Sequence, residues 1–135
     1  MFLDASAIIA MLGDETEADR FADALAAAPN PIVSPIAVWE TVAGLVKEYA
    51  LSVPEARAKV AQFLEAAKVR GVAIGERERE GALDAYDQYG KGRHIARLNM
   101  GDCFAYAVAK AHDALMLHKD EGFYRTDVRS VIARS

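Results

Sequence analysis

Apolar positions along this chain follow two rhythms. Short runs within "MFLD" at 1–4, "PIVS" at 31–34, "VAI" at 72–74 and "ALMLHKD" at 114–120 read as strands, and between them apolar residues recur at helical spacing. Residues 35–49, "PIAVWETVAGLVKEY", place Val38, Val42, Leu45 and Tyr49 along one side, with Pro35 suited to a first turn. Residues 54–69 do the same with Ala56, Val60, Phe63, Leu64 and Ala67. The stretch "EREREGALDAYDQY" predicts a charged, exposed helix, and another runs from about Asp102 to His112. Strands separated by helices predict an α/β chain whose largely parallel sheet is covered on both faces. No repeat, low-complexity tract or linker interrupts the pattern, and 135 residues suit one domain over 1–135.

The polar residues that break the apolar runs carry the chemistry. Open parallel sheets bind ligands at the carboxyl ends of their strands. Asp4 ends the first strand, Asp120 ends the last, Glu40 lies in the first turns of one helix, and Asp102 begins another. Each has a plain structural role available: Asp4 and Asp102 as helix caps, Glu40 near a helix's positive end, Asp120 in a turn. Taken together they converge on one edge, where carboxylates about 5 Å apart repel by roughly 3 kcal/mol per pair at an effective dielectric near 20. Such a group needs a cation. Its oxygen-only donors favour Mg²⁺ or Mn²⁺ over Zn²⁺. His94, His112 and His118 are scattered and fit surface or capping roles, and Cys103, the only cysteine, fits a buried and inert thiol.

Charge refines the picture. A net charge of −4 argues against a protein that coats nucleic acid by bulk electrostatics. No acid lies between Asp87 and Asp102, while Lys91, Arg93 and Arg97 do, so that stretch is +3 and the remainder is −7. Beside an anion-handling site, these three cations would hold phosphates without reading sequence. No apolar run approaches the roughly 18 to 20 residues of a membrane span, and the first residues lack a signal peptide's basic region. A cytoplasmic address with no membrane contact is expected.

The pieces "LDASAIIAML", "WETVAGL", "RHIARLNMGDCFAYAVAK" and "FYRTDV" occur in this order over almost the whole chain, and "LNMGDCFAYAVAK" is the most specific of them. With these the chain resembles the PIN-domain ribonucleases, and more closely the VapC toxins of bacterial type II toxin–antitoxin modules. The resemblance implies a PIN-like three-layer fold, a central and mostly parallel sheet flanked by helices. It also implies Mg²⁺ (Mn²⁺ as a substitute) held by Asp4, Glu40, Asp102 and an acid of "KDEGF". Ser6 matches the family's hydroxyl residue two positions after the first acid. Where the family often reads K-G-D-D-F, this chain has "KDEGF"; consecutive strand residues point to opposite faces, so only one of Asp120 and Glu121 can join the cluster, and Asp120, nearest the strand's end, is the expected fourth acid with Glu121 its alternative.

The activity so implied is metal-dependent endoribonuclease cleavage by an activated water, leaving a 5′-phosphate and a 3′-hydroxyl. The implied partners are an RNA substrate and a cognate VapB-type antitoxin, with the chain a homodimer and a heterotetramer or larger assembly forming with the antitoxin. Readings from two other classes stand beside it. A receiver-type regulatory module wants adjacent acids after its first strand and an Asp ending a central strand, whereas "LDAS" supplies one acid and "PIVS" none. A catalytically silent PIN-fold module would bind a partner and cleave nothing.

Overall fold

The computed structural model describes residues 1–134. Strand β1 (Phe2–Leu3) leads through Asp4 into α1 (Ala5–Leu12), which is followed by α2 (Ala18–Ala27). Strand β2 (Ile32–Val33) leads through Ser34 into α3 (Pro35–Tyr49), and then come α4 (Val53–Ala66), β3 (Arg70–Gly71) and α5 (Glu76–Tyr89). Helix α6 (Met100–Ala111), strand β4 (Met116–Leu117) and a 3-10 helix (Glu121–Arg125) complete the order. The four strands form one sheet in the order β3-β2-β1-β4. Every pair is parallel, with Phe2 opposite both Ile32 and Met116, and Val33 opposite Gly71. Phe2 and Leu3 are both fully buried, as are Met116 and Leu117. Because consecutive strand residues face opposite ways, both faces of the sheet are covered, as the sequence pattern predicts.

Local chemistry places the helix starts at one edge. Asp4 Oδ2 accepts from the Ser6 N–H at 3.1 Å and caps α1; Ser34 Oγ accepts from the Ala37 N–H at 3.1 Å and caps α3, with Pro35 in the first turn. In each case a single residue ends the strand and begins the helix, so the cap side chain sits at the sheet's carboxyl edge. A cap contributes about 1 kcal/mol. Helix α6 begins with a reciprocal box: Asn99 Oδ1 accepts from the Asp102 N–H at 2.9 Å, and Asp102 Oδ2 accepts from the Asn99 N–H at 3.1 Å. Asp102 is therefore the third residue of the helix rather than its cap.

Several elements differ from expectation. The strand predicted at 72–74 lies at Arg70–Gly71, because the parallel register with β2 fixes pairing at Ile32–Arg70 and ends where the Val72 N–H reaches Val33 O. Helix α4 stops at Ala66, and Lys68 takes a left-handed φ of 56° that a continuing helix would not allow. On α3 the fully enclosed residues are Ala37, Thr41 and Leu45; Val38 and Val42 are half-buried and Tyr49 is exposed. Helix α5 is not exposed all round, since Ala82, Ala85 and Tyr89 are buried, and a Cβ at Gly81 would lie 3.2 Å from Ala107 Cβ of α6. His118 is not at the surface: it is 3% exposed, with Nε2 2.7 Å from Ser130 Oγ. Its burial pushes its pKa down to about 4, so it is neutral. Cys103 is buried as expected, and burial pushes its thiol up to about 11. Among the described residues no helix is long and apolar enough to cross a membrane.

Candidate metal centre

At the carboxyl edge, three acids from three segments meet. Asp4 after β1, Asp102 in the first turn of α6 and Asp120 beyond β4 each offer a carboxylate oxygen, and these oxygens lie within 4.8 Å of one another. Glu40 of α3 lines the same cavity of about 620 Å³, which Ser6, Glu15, Lys47, Asn99 and Lys119 also border. The Glu40 carboxylate lies against Gly101 of α6. Glu121 goes elsewhere: it pairs with Arg134 and borders a separate polar cavity with Glu17, Arg20 and Tyr124. The reason is backbone direction. Strand β4 ends at Leu117, Asp120 is the residue before the 3-10 helix, and the turn beginning at Glu121 carries that side chain away from the edge.

Ser6 ties this edge together. Its hydroxyl donates to Asp4 Oδ2 at 2.5 Å and accepts from the Lys119 N–H at 2.9 Å, joining the start of α1 to the segment that carries Asp120. Lys119 itself was not singled out from the sequence. Its ammonium lies 2.7 Å from Glu15 and 3.3 Å from Glu17, so it is ion-paired there and forms no ion pair with the clustered acids. Among the described residues no salt bridge involves Asp4, Glu40, Asp102 or Asp120. Burial, then Asp120, pushes Asp4 up to about 7 against the opposing hydrogen bonds from Ser6. Burial, then Asp102 and Asp120, pushes Glu40 up to about 7. Asp102 is raised to about 6 by burial, with the Asn99 N–H opposing and Asp120 adding to the rise. Asp120, at the open rim, is raised by burial and partly offset by Lys119. Uncompensated carboxylates in close contact fit a hard divalent cation, and the donor set contains neither sulfur nor imidazole.

The basic run 91–97 lies beside this edge but outside the acidic cavity. Lys91, Arg93 and Arg97 border a shallow dish with Gly92, His94 and Ile95. Arg93 lies 3.4 Å from Asp87 and over the Tyr86 ring at 5.2 Å, while His94 Nδ1 accepts from the Ala96 N–H at 3.0 Å and shapes the turn. The loop abuts the turn after Asp120, since a Cβ at Gly122 would lie 2.5 Å from the Ala96 carbonyl oxygen. The final motif, "FYRTDV", is structural: Asp127 accepts from the Tyr106 hydroxyl and lies 3.0 Å from Lys110 Nζ, which fastens the C-terminal segment to α6. A concavity of about 780 Å³ between α3 and α4 is lined mainly by apolar residues including Val38, Trp39, Val42 and Leu64, and no carboxylate lines it.

A PIN domain family model matches residues 1–129. Over 131 residues the chain is 40% identical to VapC ribonuclease Mb0640 of Mycobacterium bovis, covering 97% of this chain and 98% of that protein. This chain belongs to the PIN-domain family, among the VapC proteins. Ribonuclease VapC of Mycolicibacterium smegmatis is also 40% identical, with 97% and 99% covered. Among solved structures, a toxin–antitoxin complex from Klebsiella pneumoniae superposes with a TM-score of 0.71 at 17% identity, covering 97% of each chain. Mycobacterium tuberculosis VapC20, described as a sarcin–ricin loop cleaving toxin, gives 0.71 at 18% identity over 95% of this chain and 98% of that one. At such identities the likeness is one of fold, and it is the PIN fold of parallel strands between helices.

Proposed function

We propose that this chain is a Mg²⁺-dependent endoribonuclease that acts as the toxin of a VapBC-type module in the cytoplasm, its residues 1–135 forming one PIN domain. The observation that carries the reading is the meeting of Asp4, Asp102 and Asp120 within 4.8 Å, with Glu40 in the same cavity and no protein cation paired to any of them. A divalent cation bound there would supply a Lewis acid that polarises a scissile phosphate and makes water a competent nucleophile near neutral pH. Asp4 is oriented for this by the Ser6 hydroxyl. Asp102 uses Oδ2 for the Asn99 N–H, which fixes its rotamer and leaves its other oxygen free of the cap. Asp120 takes the fourth position in preference to Glu121, whose carboxylate is engaged by Arg134. Lys91, Arg93 and Arg97 are read as phosphate contacts for the flanking RNA, beside the turn that carries Asp120.

Mn²⁺ would serve in place of Mg²⁺, since both take hard oxygen donors. The proposed regulator is a VapB-type antitoxin, supported by the VapC relatives and by the toxin–antitoxin complex among the structural neighbours. A basic side chain of the antitoxin placed among these acids would replace the cation's charge with charge-assisted hydrogen bonds. The assembly proposed is a homodimer that forms a heterotetramer or larger species with the antitoxin. RNA cleavage separates an enzyme from a silent binding module: wild-type chain should cut RNA with Mg²⁺ and stop in EDTA. Asp102→Asn, which can still accept from the Asn99 N–H, should fold and fail to cut. Full cleavage by that variant would refute the metal-centre reading.

A further inference from the structure

Gly101 is buried at the second position of α6, directly before Asp102, in a helix whose N-terminal box is already complete without it. A Cβ there would lie 2.5 Å from Glu40 Cδ and 2.8 Å from its Oε1, and closer still to Oε2. The Glu40 carboxylate thus occupies the volume that any side chain at 101 would need. Among the described residues Glu40 makes no side-chain hydrogen bond and no salt bridge, so no polar partner fixes it in the cavity. Glu40 comes from α3, whereas Asp102 is on α6 and Asp4 and Asp120 lie just outside helices; its carboxylate borders their cavity without joining the three whose oxygens lie within 4.8 Å of one another.

Resting on the metal-centre reading above, we infer that Gly101 is a positioning residue: its missing side chain admits the Glu40 carboxylate to the acidic cavity, where it completes the ligand field around a divalent cation. The choice of glycine is otherwise unfavourable. Position 101 lies inside a helix, alanine is the better helix former, and no positive φ is recorded there. Gly122, by contrast, faces a backbone carbonyl, which cannot swing aside. At 101 the obstacle is the far end of a flexible glutamate, so alanine would displace Glu40 and leave the fold standing.

The test compares wild type, Gly101→Ala, Glu40→Gln and the double variant by calorimetric titration with Mn²⁺, alongside melting in EDTA and a crystal structure of Gly101→Ala. Gly101→Ala should weaken Mn²⁺ binding about tenfold while melting in EDTA at or above the wild-type temperature. Glu40→Gln should weaken it similarly, and the double variant should be no worse than either single one, because both remove the same ligand. Glu40→Asp, harmful on its own, should recover part of the affinity in the alanine background by withdrawing the carboxylate one methylene. The crystal structure should show the Glu40 carboxylate out of the cavity. Unchanged Mn²⁺ affinity in Gly101→Ala, additive losses in the double variant, or Glu40 still beside the aspartates would overturn the role of Gly101. Failure of wild type to bind any Mn²⁺ would overturn the metal-centre reading and this one with it.

Discussion

Replacing Asp4 with asparagine isolates what it costs to hold an ionised carboxylate in this cluster. Asp4 is 3% exposed, and burial with the neighbouring Asp120 raises its pKa from 3.8 to about 7. A folded-state value above the unfolded one means that the folded chain binds the proton more tightly. The penalty is therefore absent below about pH 4, grows between pH 4 and 7, and is complete above pH 7. At about 1.4 kcal/mol per unit, the ionised side chain opposes folding by about 4 kcal/mol at pH 8. Asparagine keeps an oxygen to accept from the Ser6 N–H and hydroxyl, so the cap of α1 survives. A buried amide has its own desolvation cost, which makes about 4 kcal/mol a ceiling. At about 4 °C per kcal/mol for a domain of this size, Asp4→Asn should melt roughly 5 to 15 °C above wild type in EDTA at pH 8. The gap should shrink toward zero by pH 4.5. Saturating Mg²⁺ should raise wild type by several degrees and leave the variant unmoved. Scanning calorimetry at the two pH values reads all of this. A variant less stable than wild type in EDTA at pH 8 would mean that Asp4 is not strained by its surroundings.

The fourth acid is tested by comparing Asp120→Asn with Glu121→Gln at limiting Mg²⁺: only the first should raise the metal concentration needed for half-maximal cleavage, and a rise confined to Glu121→Gln would move the position by one residue. The basic loop is tested by changing Lys91, Arg93 and Arg97 together to glutamine. That triple variant should need more RNA for half-maximal cleavage and should lose about 2 from its log–log salt slope, while the cut site stays the same. Equal activity at every salt concentration would leave the loop with a structural role only.

How far the molecule can be read from its sequence depends on whether a feature is local. "FLDAS" and "IVSPI" each contain a strand end, a cap and a helix start within five residues, and the fold follows those signals at Asp4 and Ser34. The same locality makes Asp4 and Asp102 legible as candidate site residues. Features decided by distant neighbours were less legible. "VAI" looks more strand-like than "RG", yet pairing with Ile32 and Val33 selects Arg70 and Gly71, both exposed at the sheet edge. His118 sits in the polar string "HKDE", and only its place after β4 carries it inward to Ser130 and the Phe123 and Tyr124 rings. Strand alternation required only that one of Asp120 and Glu121 face the cluster, and nearness to the strand end favoured Asp120; the strand has in fact already ended there, and the turn at Glu121 is what separates the two acids. Gly101 carried no signal of its own, because its neighbour Glu40 belongs to another helix.

The most direct measurement is a crystal of the wild-type chain soaked in Mn²⁺ and read by anomalous diffraction. A peak bounded by Asp4, Asp102 and Asp120, with Glu40 alongside, is the predicted result, and the same soak of Asp102→Asn should lose it. Saturating Mn²⁺ with no peak among these acids, or with the ion bound only beside Glu121, would contradict the metal centre on which the ribonuclease reading rests.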